Sequence, residues 1–229
     1  MEPAVFDRFP GLRLPVAVAA GLRPTDAASA VDSLWAAAWK TAARHAEHGN
    51  PQSHPYVKPW RERFGAMGVS GKQFPSSVEA LLRRALKGGE PFRINPLVDF
   101  YNTVSLEHLV PAGGFDLAGI EDALDLRLTR AGDRFLALDA DVEEPVSPGE
   151  VAYATGSAVL TRHFVWRQSN RALVTADSRE VFLVAEVLPE LGADAAQKVL
   201  DAFAGGLVEH FGALPKTFIV ERTQPSIAW

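Results

Sequence analysis

Cysteine is absent from the chain. That absence excludes disulfides, thiolate catalysis, iron–sulfur clusters and cysteine-bound zinc, and it fits a reducing compartment. Long apolar runs are missing too. No window approaches the ~20 apolar residues of a membrane helix, and Met1-Glu2-Pro3 does not begin a signal peptide. The expectation is a cytoplasmic protein with no membrane partner. Positive charge is not in excess either, since the formal net charge is −5. A surface that tracks a DNA or RNA backbone needs a basic excess, so no DNA partner is expected. A pocket for one RNA end remains compatible with this charge. The strong sequence motifs are also lacking: no GxGxxG, no GxxxxGK[ST], no HExxH and no GxSxG. No cofactor and no metal centre is expected.

What remains is an ordinary globular mixture of 229 residues, 47% hydrophobic and 22% charged. A chain of this length buries roughly 70% of its unfolded surface and needs no staple to fold. One domain spanning 1–229 is the expectation. Residues 12–20 read as a buried strand ended by Gly21, with Pro15 suggesting an edge position or a bend. Thr25 or Asp26 is read as the cap of a helix whose stripe is Val31, Leu34, Trp35, Ala38, Trp39 and Ala42, running out by Gly49-Asn50-Pro51. A short helix is expected over 56–67. Ser76 and Glu79 have capping-box spacing before Leu81, Leu82 and Leu86, with Gly88-Gly89 as the stop. Asn95-Pro96 opens another helix, running to about His108.

The middle of the chain is β-rich. One hairpin is expected from 124–129 and 134–138 around Ala131-Gly132-Asp133. A second is expected from 150–154 and 158–162 around Thr155-Gly156-Ser157. Val181–Val187 reads as a continuous apolar strand. Asp194 is read as capping a long helix with Val199, Leu200, Phe203, Leu207 and Phe211 inward and Gly212 at its end. Thr217–Val220 is a final strand. The elements do not alternate as βαβ units, which argues α+β: a mixed, mostly antiparallel sheet flanked by helices.

Chemistry-bearing residues are sparse. His45 and His48 stand three apart with His54 beyond, but no carboxylate is placed as a third ligand, so a helix end and polar loop is the expectation. The Gly88-Gly89 and Gly205-Gly206 doublets read as structural. Two segments differ. Asn95, Asp99 and Asn102 fall at i, i+4 and i+7, a helix stripe of two amides and one carboxylate without a cation. That stripe suits either an internal hydrogen-bond network or a pocket wall. Arg162, Trp166, Arg167 and Arg171 gather charge and a ring in ten residues. They suit a phosphate, a carboxylate or a nucleobase. The alternative is a core tryptophan with arginines paired to nearby acids.

At these two segments the chain resembles the B3/B4 editing domain of the phenylalanyl-tRNA synthetase beta chain, including its stand-alone members. Asn95-Pro96-Leu97-Val98-Asp99-Phe100-Tyr101-Asn102 is similar to the family's N-x-V-V-D-x-x-N helix. Val110-Pro111-Ala112-Gly113-Gly114-Phe115-Asp116 resembles its P-hydrophobic-H-A-F-D turn, with Gly113 in place of the histidine that lies in the synthetase's editing pocket. The block from Pro148 through Asn170 resembles stand-alone members. The likeness covers about 60–190, with a strand–helix before it and a helix–strand after it.

The resemblance implies a hydrolase that cleaves the ester of a mischarged tRNA in trans, with the tRNA acceptor end as partner. It implies Asn95, Asp99 and Asn102 as pocket organisers. Glu107, Gly113 and Gly114 would lie near the reacting ester, the two glycine amides facing a developing oxyanion. Glu150, Arg162, Trp166 and Arg167 would contact the amino acid or the terminal nucleotide. The missing histidine keeps a second reading open, a module of the same fold that binds tRNA or an amino acid without cleaving it. A pocket for a small molecule unrelated to tRNA is a third.

Overall fold

The computed structural model describes residues 1–48 and 50–229, with the backbone alone for 46–48. In chain order its elements begin with α1 (Pro3–Arg8), β1 (Leu14–Ala20), α2 (Pro24–Ala42), α3 (Lys58–Ala66), α4 (Ser77–Leu86) and α5 (Pro96–His108). Then come β2 (Ala112–Asp116), β3 (Asp125–Leu128), β4 (Arg134–Phe135), β5 (Glu144–Pro145), β6 (Val151–Thr155), β7 (Ala158–Val159), β8 (Thr161–Arg162) and β9 (Arg167–Gln168). β10 (Glu180–Ala185), α6 (Ala195–Phe211) and β11 (Lys216–Val220) complete the chain. The class is α+β, with mostly antiparallel sheets. Among the described residues, no helix is long and apolar enough to cross a membrane.

The central sheet has the order β11-β1-β10-β2 and is antiparallel throughout. Successive side chains alternate between its two faces, and both faces are buried. Ala17, Ala19, Val181, Leu183 and Ala185 face a core formed with α2, α5 and α6. Leu14, Val16, Val18, Phe182 and Val184 face a second core that holds Val5, Trp60, Phe64, Leu126 and Tyr153. Burial on both faces explains why β10 reads as a continuous apolar run rather than an alternating one. The second sheet runs β3-β6-β7-β4-β5, with only the β4–β7 pair parallel.

Several local expectations hold. Asn95 caps α5, its side chain accepting the Val98 N–H at 3.0 Å. Gly88, Gly89 and Gly212 take left-handed φ values where their helices stop. β6 and β7 form the hairpin around Gly156.

Others need correction. Pro15 is not on an edge, since β1 lies between β11 and β10. Its missing N–H falls in a gap between the Arg13↔Val187 bridge and the ladder that begins at Val16↔Val184. α2 starts earlier than expected, with Pro24 in its first turn and Arg23 as the flanking residue. Ser76 and Asp194 flank their helices without a side-chain cap. Glu79 does not reach back to complete a capping box. It is fully buried, and it accepts two 2.8 Å bonds from Arg61 together with a contact from Arg83. The first expected hairpin also fails: β3 pairs with β6, and β4 pairs with β5 and β7. The turn between β3 and β4 is organised by charge. Asp133 receives Arg127 Nη1 at 2.6 Å and Nη2 at 3.0 Å, and both side chains are buried.

Candidate functional site

β2 is the free edge of the central sheet, and the β8–β9 segment stands against it. Between them is a cavity of about 80 Å³ lined by Gly113, Gly114, Tyr153, Thr161, Trp166, Arg167, Gln168 and Glu186, among others. The chain reaches this arrangement through a strained turn. His163 and Phe164 have φ values of 44° and 49° without being glycine. Left-handed backbone at such residues costs about 1 kcal/mol or more each. Packing holds it in place: Phe164 is buried against Phe9, Trp60 and Tyr153. His163 lies between Phe74 and the carboxylate of Glu150. The turn therefore presents Trp166, edge-on to Phe74 at 4.6 Å, beside the cavity.

The edge strand explains which backbone groups face this space. Hydrogen bonds on an antiparallel strand alternate in direction from residue to residue. Glu186 N–H donates to Pro111 O on the β10 side. Asp116 N–H donates to Ala172 O on the other side, and Gly114 O accepts from Gln168 Nε2 at 2.9 Å. By that alternation Gly114 N–H points outward to the β9 side, whereas Gly113 N–H points into the ladder. The expectation placed both amides on one side; the alternation instead turns only Gly114 N–H out of the ladder. The two glycines also differ sterically. A Cβ on Gly113 would meet nothing within 4 Å, but one on Gly114 would lie 2.7 Å from Leu183 Cδ2. Gly114 is a packing requirement, and Gly113 leaves open space.

Glu186 is the residue that sequence reasoning missed. It follows β10 on the face shared with Phe182 and Val184 and is only 4% exposed. The Tyr153 hydroxyl donates to its Oε1 at 2.7 Å. Burial pushes its carboxyl up to about 8, against the opposing pull of the Tyr153 hydrogen bond. Burial, with the neighbouring Glu186 adding to it, also drives the Tyr153 phenol well above its ordinary value. The single signal in the sequence was an acid just beyond an apolar strand, Ala185-Glu186-Val187, and nothing there separates it from a surface residue.

The other expected site residues lie elsewhere or are engaged. Asn95 donates to Val174 O at 3.2 Å as well as capping α5. Asp99 is buried and accepts Ile94 N–H at 3.1 Å, with burial raising its carboxyl above the ordinary value. Asn102 is buried on the same helix. None of the three lines the cavity. Glu107 is exposed near the end of α5 and is also outside the lining. Arg162 Nε binds Glu150 Oε1 at 2.9 Å, and Glu150 also accepts the His163 N–H, so this pair props the turn from behind. Arg167 lines the cavity with an exposed partner, Asp139, at 2.6 Å. The structure thus gathers Gly113, Gly114, Trp166 and Arg167 around the cavity, while Glu107, Asn95, Asp99, Asn102, Glu150 and Arg162 are not in its lining, although Arg162 pairs with Arg167 across β8 and β9. His54 Nε2 and His45 Nδ1 lie 3.2 Å apart and share a hydrogen bond. The His48 side chain falls outside the described residues.

Comparison with known proteins places this geometry in a family. Among solved structures, an N-terminal fragment of the phenylalanyl-tRNA synthetase beta-subunit from Pyrococcus horikoshii is similar at 12% identity and a TM-score of 0.48. The match covers 96% of this chain and 52% of that one, so this chain spans about half the fragment's length. No curated protein matches. The profile of the B3/4 domain matches residues 59–201, a stretch that contains every residue lining the cavity. Since that stretch is more than half of the sequence, the chain belongs to the B3/4 domain family.

Proposed function

We propose that this protein hydrolyses the ester of a mischarged tRNA, acting in trans, and that the cavity between β2 and the β8–β9 turn receives the aminoacyl group. The observation that carries the reading is the meeting, in one small space, of an outward backbone N–H at Gly114 and a carboxyl of raised affinity for protons at Glu186. Ester hydrolysis is accelerated by both kinds of group. A donor stabilises the charge that develops on the carbonyl oxygen, and a base accepts the proton of the attacking water. Gly114 N–H serves the first role. Glu186, in its ionised fraction, serves the second and later returns the proton to the leaving ribose oxygen. The ribose hydroxyl next to the ester helps to orient the water. About 80 Å³ admits a small group and not a nucleotide. The terminal nucleoside would lie outside, against Trp166, with Arg167 near its phosphate.

A second reading has its own observation. The Glu186 carboxyl is already held by Tyr153, and Gly113 offers no side chain where the synthetase's turn carries a histidine. A module that binds the acceptor end without cleaving it would also look this way. The test is a deacylation time course on Glu186→Gln and wild type with mischarged tRNAs. Hydrolysis is expected to drop about 100-fold or more in the variant, in the range of a lost acid–base group. Wild-type protein that binds these tRNAs and leaves the ester intact would establish the second reading.

A further inference from the structure

A larger cavity lies on the other side of Tyr153. Its volume is about 580 Å³, within the ~300–1,000 Å³ typical of ligand pockets. Leu14, Phe182 and Val220 of the central sheet form one wall, and Ile120 and Leu124 form the opposite one. The segment from Pro225 to Trp229 also lines the cavity. Trp229 packs edge-on to Phe182 at 5.1 Å and remains 38% exposed. The side-chain charge around the cavity is negative. Asp122, Asp125 and Glu180 border it, and no lysine or arginine does. Among the described residues these three acids take part in no ion pair. The one cation at the edge is the Met1 amino group, which donates to Pro225 O at 2.7 Å.

We infer that this cavity binds a small hydrophobic amine, with an aromatic or aliphatic body against the sheet and an ammonium group at the acidic rim. The apolar walls favour burial of the body, and the carboxylates favour a cation over an anion of the same size. The site is separate from the proposed hydrolytic cavity, although both use Tyr153 and Val184 as wall. It does not depend on the tRNA reading, because its occupant needs no nucleotide.

Isothermal titration of the full chain with phenethylamine, 2-phenylethanol and 3-phenylpropionate tests this directly. Phenethylamine is expected to bind once per chain with a Kd below about 1 mM, and the other two at least about tenfold more weakly. Leu124→Trp, on a half-buried loop position, fills the space and is expected to abolish binding. Trp229→Ala is expected to weaken it, and a change on this lining segment spares the sheet core if Leu124→Trp disturbs the fold. Asp122→Asn with Glu180→Gln is expected to erase the preference for the amine. No saturable uptake of phenethylamine by the wild type overturns the inference. So does equal binding of the alcohol or the acid, or binding that survives both Leu124→Trp and Trp229→Ala.

Discussion

Below pH 4.5 the Glu186 carboxyl is protonated in the folded and the unfolded chain alike. As pH rises, the unfolded chain releases this proton first, because burial holds the folded value up to about 8. The folded chain then binds more protons than the unfolded one, so stability falls with pH across that window and levels off above it. We expect the Tm to decline between about pH 5 and pH 8 for this reason, and Glu186→Gln to flatten the decline while keeping an acceptor for the Tyr153 hydroxyl. Thermal melts of both proteins over this range measure it. A wild-type profile with the same slope as the variant's would contradict the assignment. Arg127 and Asp133 make the opposite case at the same scale. Burial pushes the Asp133 carboxyl up, but the hydrogen bonds from Arg127 and Arg130 N–H outweigh it and hold it below the usual range. Removing one partner strands the other in the interior, so Asp133→Ala is expected to cost about 3–5 kcal/mol by denaturant unfolding.

Helix α6 contains two adjacent glycines with different surroundings. A Cβ on Gly205 meets nothing within 4 Å, while one on Gly206 would lie 2.3 Å from the Phe100 ring. That ring is held against Phe211 and Phe203 and has little room to yield. Gly205→Ala is expected to stabilise by about 0.5–1 kcal/mol through helix propensity and chain entropy. Gly206→Ala is expected to destabilise by about 1–3 kcal/mol through overpacking. Equilibrium unfolding of the pair checks both signs. The doublet was readable as structural in the sequence, but only the packing of α5 on α6 tells the two positions apart. Local signals of this kind decided much of the fold. Helix stops, the Asn95 cap, the apolar stripe of α2 and the β6–β7 hairpin are all written within a few neighbouring residues. Two of the failures share a different cause. Glu79 left its expected capping role for Arg61, 18 positions away, and β3 left the first hairpin to pair with β6, Asp125 opposite Ala154. Contacts of long sequence separation do not show in a local pattern. The same holds for the candidate site. Trp166, Arg167, Gly113 and Gly114 were legible because they stand in two short blocks. Glu186 was not, because its chemistry comes from burial beside Tyr153, 33 positions earlier.

At the scale of the whole molecule, the sheet is a partition. One face carries α2, α5 and α6, and the other packs against α1 and α3. That second face also carries both cavities, side by side along β10 and divided by Tyr153. Helix α5 packs against β2, and the edge strand and the strained β8–β9 turn enclose the smaller space. The proposed reaction is compatible with an acidic chain, because it asks only an acceptor end, and not the length of a nucleic-acid backbone, to meet the protein. The central claim is that the small cavity cleaves an aminoacyl ester. The measurement that tests it most directly follows the surviving ester over time when purified protein is incubated with a panel of correctly and incorrectly charged tRNAs. The account predicts rapid loss of one or a few mischarged species, with the correctly charged ones spared and the loss suppressed in Glu186→Gln. Folded protein that leaves every species intact, or a Glu186→Gln variant as active as the wild type, would contradict it.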